Sequence, residues 1–92
     1  MTRIKVKKLI WDDFNSEHIK KHHVSIDEVE EAVKSFLTHK KTKKGRYLII
    51  CRVGKRMISV IINRKATGIY YPVTARDSAK HERIKVYEKE KA

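Results

Sequence analysis

Apolar residues recur with two different periods along this chain, and the period changes near residue 46. Between residues 11 and 36 they are spaced three or four positions apart, as in amphipathic helices. From residue 47 onward they occupy about every second position, which is typical of half-buried strands. The pattern therefore predicts one α+β domain spanning residues 1–92, with helices followed by a sheet.

The first predicted helix has about ten residues and follows Trp11. Asp12 or Asp13 supplies its N-cap, because a short carboxylate can accept a hydrogen bond from the first free backbone amides. Helical spacing then places four side chains along or beside one apolar stripe: Phe14, His18, Ile19 and His22.

The second predicted helix runs from residue 26 to about residue 36. Ser25 and Glu28 have the spacing of a capping box, and Val24 can pack on Val29 as a hydrophobic staple. One face of this helix is apolar and comprises Ile26, Val29, Val33 and Phe36.

Three strands are predicted in the second half, over residues 47–53, 57–63 and 69–75. Gly54 supplies the unusual backbone dihedral of the first turn. In the last strand the inward residues are expected to be Ile69, Tyr71 and Val73. The aromatic residues are expected in or beside the core rather than as platforms for base stacking, and Tyr70 is the one most available as an exception; they are Trp11, Phe36, Tyr47, Tyr70 and Tyr71.

Shorter segments complete the predicted fold. A short edge strand is predicted over residues 3–10, and a loop or irregular strand over residues 37–46. A final helix is predicted to begin at a cap supplied by Asp77 or Ser78 and to fray near Lys91. Pro72 indicates that one side of the last strand is incompletely paired. The predicted architecture is two N-terminal helices packed on a small antiparallel sheet of three to four strands, with a C-terminal helix.

The net charge of +12 is unevenly distributed. Residues 10–37 carry seven acidic against three basic residues, whereas residues 38–92 carry sixteen basic against four acidic residues. This asymmetry favours a polyanion-binding face on the C-terminal part, which the acidic second helix does not share. A solvated basic surface without a nucleic-acid partner is the alternative.

Several classes of protein do not fit the sequence. The longest apolar run, residues 57–62, is too short to span a membrane, and the N-terminus has no export signal, so a cytoplasmic protein is expected. Cys51 lies between apolar residues and is expected to be a buried, inert thiol. His18 and His22 have the spacing of metal ligands, but Ile19 occupies the position of a zinc protease's glutamate and no third ligand is evident, so neither a metal nor another cofactor is expected.

The residue types suit RNA cleavage without a metal. Such cleavage requires a base for the ribose 2′-hydroxyl, cations for the negative charge that develops on the phosphate, and an acid for the leaving oxygen. The sequence offers His18, Lys21, His22, Arg46, Arg76 and Arg83. Composition alone does not bring these residues together.

The order of landmarks along residues 10–88 resembles that of the BrnT-like toxins. The first half carries Trp11, Asn15, His18, Ile19, His22, Val24, Ser25 and Glu28; the second carries Arg46-Tyr47, Gly54-x-Arg56, Gly68, Thr74-Ala75-Arg76-Asp77, Glu82-Arg83 and Tyr87. The chain departs from the family at His23, where a glycine is usual.

The resemblance implies a RelE-like fold, a ribonuclease that blocks translation, and a co-expressed antitoxin of ribbon-helix-helix type. Carried over by position, it implies catalytic roles for Lys21, His22 and Arg76. It implies RNA binding by His18, Lys43, Lys44, Arg46 and Arg83.

Simpler roles remain open for these residues. His22 can cap the end of its helix, His18 can be a half-buried histidine satisfied by a neighbour, and Arg76 can pair with Glu82 or Asp77. Lys43 and Lys44 can belong to a solvated loop. The whole chain can equally be a nucleic-acid-binding module without catalysis, or a degenerate toxin that binds only its antitoxin.

Overall fold

A computed structural model of the chain describes residues 5–34, 36, 38–43 and 45–91. The elements in chain order are β1 (Lys8–Leu9), α1 (Asp13–Lys21), α2 (Ile26–Ala32), β2 (Thr38–Lys41), β3 (Arg46–Val53), β4 (Arg56–Ala66), β5 (Ile69–Asp77) and α3 (Lys80–Lys91). No helix in these described ranges is both long and apolar enough to cross a membrane.

The starts of α1 and α2 are fixed by the two predicted caps. Asp12 caps α1, and its carboxylate accepts a hydrogen bond from the Asn15 amide. Ser25 and Glu28 form the expected capping box at the start of α2. Helix α2 ends at Ala32, about four residues before the predicted end, and Val33 is its C-cap.

The sheet has five strands in the order β1-β5-β4-β3-β2 and is mixed, since β1 runs parallel to β5. The expected antiparallel sheet of three to four strands was therefore wrong in strand number and in the direction of one edge strand. β1 pairs only beside Ile69 and Tyr70, before Pro72, which agrees with the incomplete pairing that the proline indicates.

The second edge strand lies in a segment that was expected to be a loop or irregular strand. Thr38–Lys41 forms β2 by pairing antiparallel with β3, with Lys40 opposite Leu48. The basic composition of this segment hides its strand, because the pairing partner rather than the local pattern determines it. Lysines on such an edge also discourage pairing with another chain.

The two faces of the sheet pack against different helices. Alternate residues of β3 and β4, including Ile49, Cys51 and Ile58, form the main core with Ile19 of α1 and Val29 of α2. The intervening positions Ile50 and Met57 pack with Val86 of α3 on the opposite face. Cys51 is buried as expected, and desolvation raises the pKa of its thiol to about 12.

In β5 the inward residues differ from the expected ones. Tyr70 is 4% exposed and packs edge-to-face on Tyr47, so it is a core residue and does not offer a surface for base stacking. In the pairing of β4 with β5, the register shifts between Ile61 and Ile62. This shift interrupts the alternation of inward and outward side chains along β5, so that after Tyr70 the next β5 residue in the main core is Ala75.

Helix α1 also presents an unexpected face to the core. Asn15 is fully buried, and its side-chain amide donates hydrogen bonds to the carbonyl oxygens of Ile10 and Pro72. Phe14 consequently points outward and is 74% exposed, although it was expected along the apolar stripe. A buried amide that satisfies two backbone carbonyls thus determines which side of α1 faces the sheet.

Candidate functional site

The end of α1 and the end of β5 meet at the turn between β3 and β4. Arg56, the first residue of β4, donates to the backbone oxygen of His23 at 2.7 Å and forms ion pairs with Asp77 at 2.6 Å and Glu28 at 3.0 Å. A longer contact reaches the oxygen of His22 at 3.5 Å. One guanidinium therefore joins the α1–α2 corner, residues 22–25, to the last residue of β5.

These contacts change the acidity of both carboxylates. Hydrogen bonding from Arg56 is the main reason that the pKa of Asp77 is lowered. The pKa of Glu28 is also lowered, first by the backbone amide of Ser25 and then, against desolvation, by Arg56. Both groups are ionised at neutral pH, which keeps the Arg56 contacts intact.

His23 occupies a backbone conformation that suits glycine. Its φ of 59° lies in the left-handed region, just beyond the end of α1. The resemblance predicts glycine here; the histidine nevertheless adopts the left-handed conformation that suits glycine, and it places an exposed imidazole at the corner.

Arg76 is held by a buried carboxylate on α3. Its Nη1 and Nη2 atoms donate to Oε1 and Oε2 of Glu82 at 2.8 and 3.1 Å, and Glu82 is 3% exposed. Of the roles that the sequence left open, the ion pair with Glu82 is the one that forms. Nη1 also donates to the backbone oxygen of Asp77 at 3.2 Å.

Glu82 is surrounded by hydrogen-bond donors. Burial alone would raise its pKa, but the Arg76 guanidinium, the amide of Ala79 and the hydroxyl of Ser59 outweigh burial and lower the pKa to about 2. The hydroxyl of Ser59 also lies 2.8 Å from that of Ser78. This buried network fixes the carboxylate, and the carboxylate fixes Arg76.

One edge of the Arg76 guanidinium remains open. The contacts with Glu82 use Nη1 and one hydrogen of Nη2, which leaves the Nε hydrogen and the second Nη2 hydrogen side by side on the other edge. Neither of these two hydrogens has a partner among the described residues, and the side chain is 39% exposed. Two parallel N–H groups held in place suit the oxygens of a phosphate.

An open cleft of about 500 Å³ lies at the same end of the sheet, on the α3 side. Arg83 contributes to its wall and is positioned by a hydrogen bond from Nη1 to the backbone oxygen of Ser78 at 2.9 Å. The cleft is lined by Arg52, Lys55, Met57, Asp77, Arg83 and Tyr87. Three cations around one concavity favour an anionic ligand.

Charge is segregated between the two faces of the sheet. Side-chain alternation places Lys40, Arg46, Arg52 and Arg76 on the α3 face. Within the described strands, that face carries no acidic side chain; on α3 above it, Glu82 is held by Arg76 and Glu88 is exposed. The acidic residues of the first half lie instead on α1 and α2 or at the cap of α1.

Two of the expected RNA-binding residues lie away from Arg76. Arg46 pairs with Asn63 and Arg76 pairs with Ser59, so about 13 Å of β4 separates them along the strand at roughly 3.3 Å per residue. Lys43 is exposed in the turn before Arg46. Lys44, also expected to bind RNA, lies outside the described residues.

The expected residues of α1 lie at or near the corner. Lys21 and His22 are exposed, and His18 is half-buried one turn earlier. His18 stacks on Phe14 and contacts His22 edge-on, with ring centroids 6.4 and 5.4 Å apart. His22 and Arg76 thus lie at the same end of the sheet, His22 on the side of α1 and α2 and Arg76 on the side of α3.

The sequence pointed to only part of the contacts that hold this arrangement together. Glu82 was one of two alternative partners of Arg76, Arg56 was noted only as a landmark of the resemblance, and Ser59 was assigned no role. The partners of Arg56 lie up to 34 residues away in sequence, and Ser59 lies 23 residues from Glu82. Polar residues at inward strand positions, such as Ser59 among the apolar residues of β4, are the available signal for a buried network.

Comparison with known proteins places this geometry in context. No family model and no curated protein matches the chain. The crystal structure of the Brucella abortus ribonuclease toxin BrnT matches with a TM-score of 0.62 and 25% sequence identity, over 79% of this chain and 97% of that chain. The chain therefore has a fold similar to that of BrnT.

Proposed function

We propose that this chain is the toxin of a toxin–antitoxin pair and acts as a metal-independent ribonuclease that inhibits translation. The observation that carries the proposal is the Arg76 guanidinium, which a buried carboxylate fixes while two parallel N–H groups stay open to solvent. The similarity to a ribonuclease toxin supports the same assignment.

Arg76 is proposed to bind the scissile phosphate. Its open edge can donate two charge-assisted hydrogen bonds to phosphate oxygens, and these bonds strengthen as negative charge develops in the transition state. Because Glu82 already holds the guanidinium, little reorganisation is needed when RNA binds.

Proton transfer is assigned to the corner, with His22 as the base or acid and Lys21 as the assisting cation. Imidazole can remove the 2′-hydroxyl proton or protonate the leaving 5′-oxygen near neutral pH. The Arg56 contacts support this role because they fix the α1–α2 corner at the end of the sheet where Arg76 lies.

The remaining RNA contacts are proposed to lie along the basic side of the protein. Arg83 offers a phosphate contact in the cleft beside Arg76, and His18 lies next to His22. Arg46, Lys43 and Lys44 are proposed to contact a more distant phosphate, since Arg46 lies about 13 Å further along the sheet.

The partner proposed for this toxin is an antitoxin with a ribbon-helix-helix DNA-binding part. The chain would act in the cytoplasm as a single domain of residues 1–92, on RNA that is free or ribosome-associated. An acidic antitoxin segment would complement the basic α3 face and exclude RNA from it.

The test is RNA cleavage by the purified protein in excess EDTA. Arg76→Lys is the informative variant, because lysine can still pair with Glu82 but lacks the second donor edge. We expect at least a 100-fold loss of cleavage for Arg76→Lys and for His22→Ala, with unchanged melting temperature. Lys34→Ala, which removes an exposed cation just after α2, serves as the control and should cleave normally.

A non-catalytic nucleic-acid-binding module is the second candidate, and the segregation of charge by face favours it independently of any catalytic residue. It predicts salt-dependent RNA binding with no cleavage by the wild-type protein. A degenerate toxin would neither cleave nor bind RNA but would still form a complex with the antitoxin. Growth arrest on expression that both Arg76→Lys and His22→Ala leave unchanged would overturn the site assignment.

A further inference from the structure

The exposed side of α1 carries a row of three rings. Phe14, His18 and His22 are spaced four residues apart, so they follow one another along the helix. The rings of Phe14 and His18 are nearly parallel, at 12°, and His22 meets His18 edge-on at 62°. Phe14 is 74% exposed, more than any other large hydrophobic residue in the described chain.

An exposed phenylalanine in this position has no role in the fold. The core side of α1 is formed by Asn15 and Ile19, both fully buried, and α1 faces β5 with that side. Phe14 therefore adds nothing to the core, and its ring is available to a binding partner.

We infer that the ring row, defined as Phe14, His18 and His22, stacks unpaired bases of single-stranded nucleic acid. Phenylalanine and histidine are among the side chains on which splayed bases stack, and every base offers a flat face to them. The inference deepens the proposed function, on which it rests, by adding Phe14 as a binding residue and by assigning His18 a stacking role.

Asp13 and Glu17 of α1 lie toward the N-terminal end of the ring row. The C-terminal end of the row, in contrast, favours a nucleic acid over a protein partner. This end leads into the exposed Lys21 and the corner that Arg56 fixes beside Asp77, at the end of the sheet occupied by Arg76. A strand whose bases stack on the row can therefore direct its backbone toward these cations.

The test measures binding without cleavage. The probe is a fluorescently labelled, single-stranded 2′-O-methyl RNA of twelve nucleotides, which lacks the hydroxyl that the proposed cleavage requires. A second probe has the same backbone with its central positions abasic. The full-length protein is compared with Phe14→Ala, with Phe14→Trp and with the control Ile84→Ala, which truncates an exposed apolar residue on α3.

We expect Phe14→Ala to weaken binding of the complete probe by roughly 5-fold to 150-fold, the range given by one stacked base at 1–3 kcal/mol. Phe14→Trp and Ile84→Ala should bind like the wild type. The abasic probe should bind wild type and Phe14→Ala with equal affinity, because only bases contact the row. The salt dependence should stay the same, since no phosphate contact is removed.

Binding of the complete probe by Phe14→Ala as tightly as by the wild type would overturn the inference. If that variant also loses its complex with a co-expressed antitoxin, the row is a protein-docking surface instead. Base-dependent binding by a protein that cleaves no RNA would refute the proposed ribonuclease activity and leave the stacking role intact.

Discussion

Arg76 and Glu82 form a pair in which a buried carboxylate orients a half-exposed guanidinium. Glu82 is 3% exposed, whereas 39% of the Arg76 side chain is accessible. Removing the arginine should therefore destabilise the protein as well as its site. We expect Arg76→Ala to lower the free energy of unfolding by about 2 kcal/mol, because Glu82 would be left buried without its cation.

A double variant tests this explanation. Glu82→Gln introduced into Arg76→Ala removes the unpaired charge and retains an acceptor for Ser59 and Ala79, so part of the lost stability should return. Urea denaturation of the four proteins measures the coupling. If the two substitutions simply add, the pair does not hold Arg76 in place.

Stability should depend on pH through Glu82. Its pKa falls from an ordinary 4.5 to about 2 in the folded protein, so the carboxylate stabilises the fold fully above about pH 5. That stabilisation, on the order of 3 kcal/mol, is lost as the pH falls through the interval from about 4.5 to about 2. The free energy of unfolding, measured across this pH interval, should fall more steeply with decreasing pH for the wild type than for Glu82→Gln.

His23→Gly should stabilise the protein. The φ of 59° is unfavourable for a side chain with a Cβ atom, and glycine adopts it readily. We expect a gain of roughly 0.5–1 kcal/mol in the free energy of unfolding, measured by urea denaturation. The neighbouring variant His22→Gly provides the contrast, since His22 has a φ of −100° and glycine there should bring no gain.

Arg56→Ala should affect the corner more than the rest of the fold. The guanidinium is about a quarter exposed and holds three partners, so a loss of about 1–3 kcal/mol is expected. Hydrogen exchange should accelerate most at the amides of residues 22–25. Lys20→Ala breaks the exposed pair with Glu17 and should change stability by less than about 0.5 kcal/mol. Equal acceleration throughout the sheet would contradict a local role for Arg56.

Cys51 should be unreactive in the folded protein. Its burial raises the thiol pKa to about 12, so the reactive thiolate is scarce at neutral pH and reagents have no access to it. A thiol-specific chromogenic reagent should label it only after denaturation by urea. Rapid labelling of the folded protein would mean that β3 opens locally.

The sequence predicted features that depend on neighbouring residues. The Asp12 cap and the Ser25–Glu28 capping box formed as expected, because each is complete within four residues. The turn at Gly54 also formed as expected, since glycine readily adopts the φ of 61° that this turn requires.

Features that depend on distant partners were missed. β2 exists because β3 lies beside it, and a register shift in the β4–β5 ladder decides that Tyr70 faces inward. Phe14 points outward because Asn15 binds Pro72, 57 residues away. For the candidate site, the resemblance named Lys21, His22 and Arg76, and either Glu82 or Asp77 remained open as the partner of Arg76. The burial of Glu82 was not predictable, because its hydrogen-bond network includes Ser59 on β4, 23 residues away.

Segregation of charge between the two faces gives the molecule a permanent electric dipole that points across its sheet. In solution this dipole would rotate the protein before contact, so that the α3 face meets a polyanion first. Raising the salt concentration should then slow association strongly while changing dissociation much less. The face that carries Arg76 would thus be turned toward a polyanion before any atom of the two molecules touches.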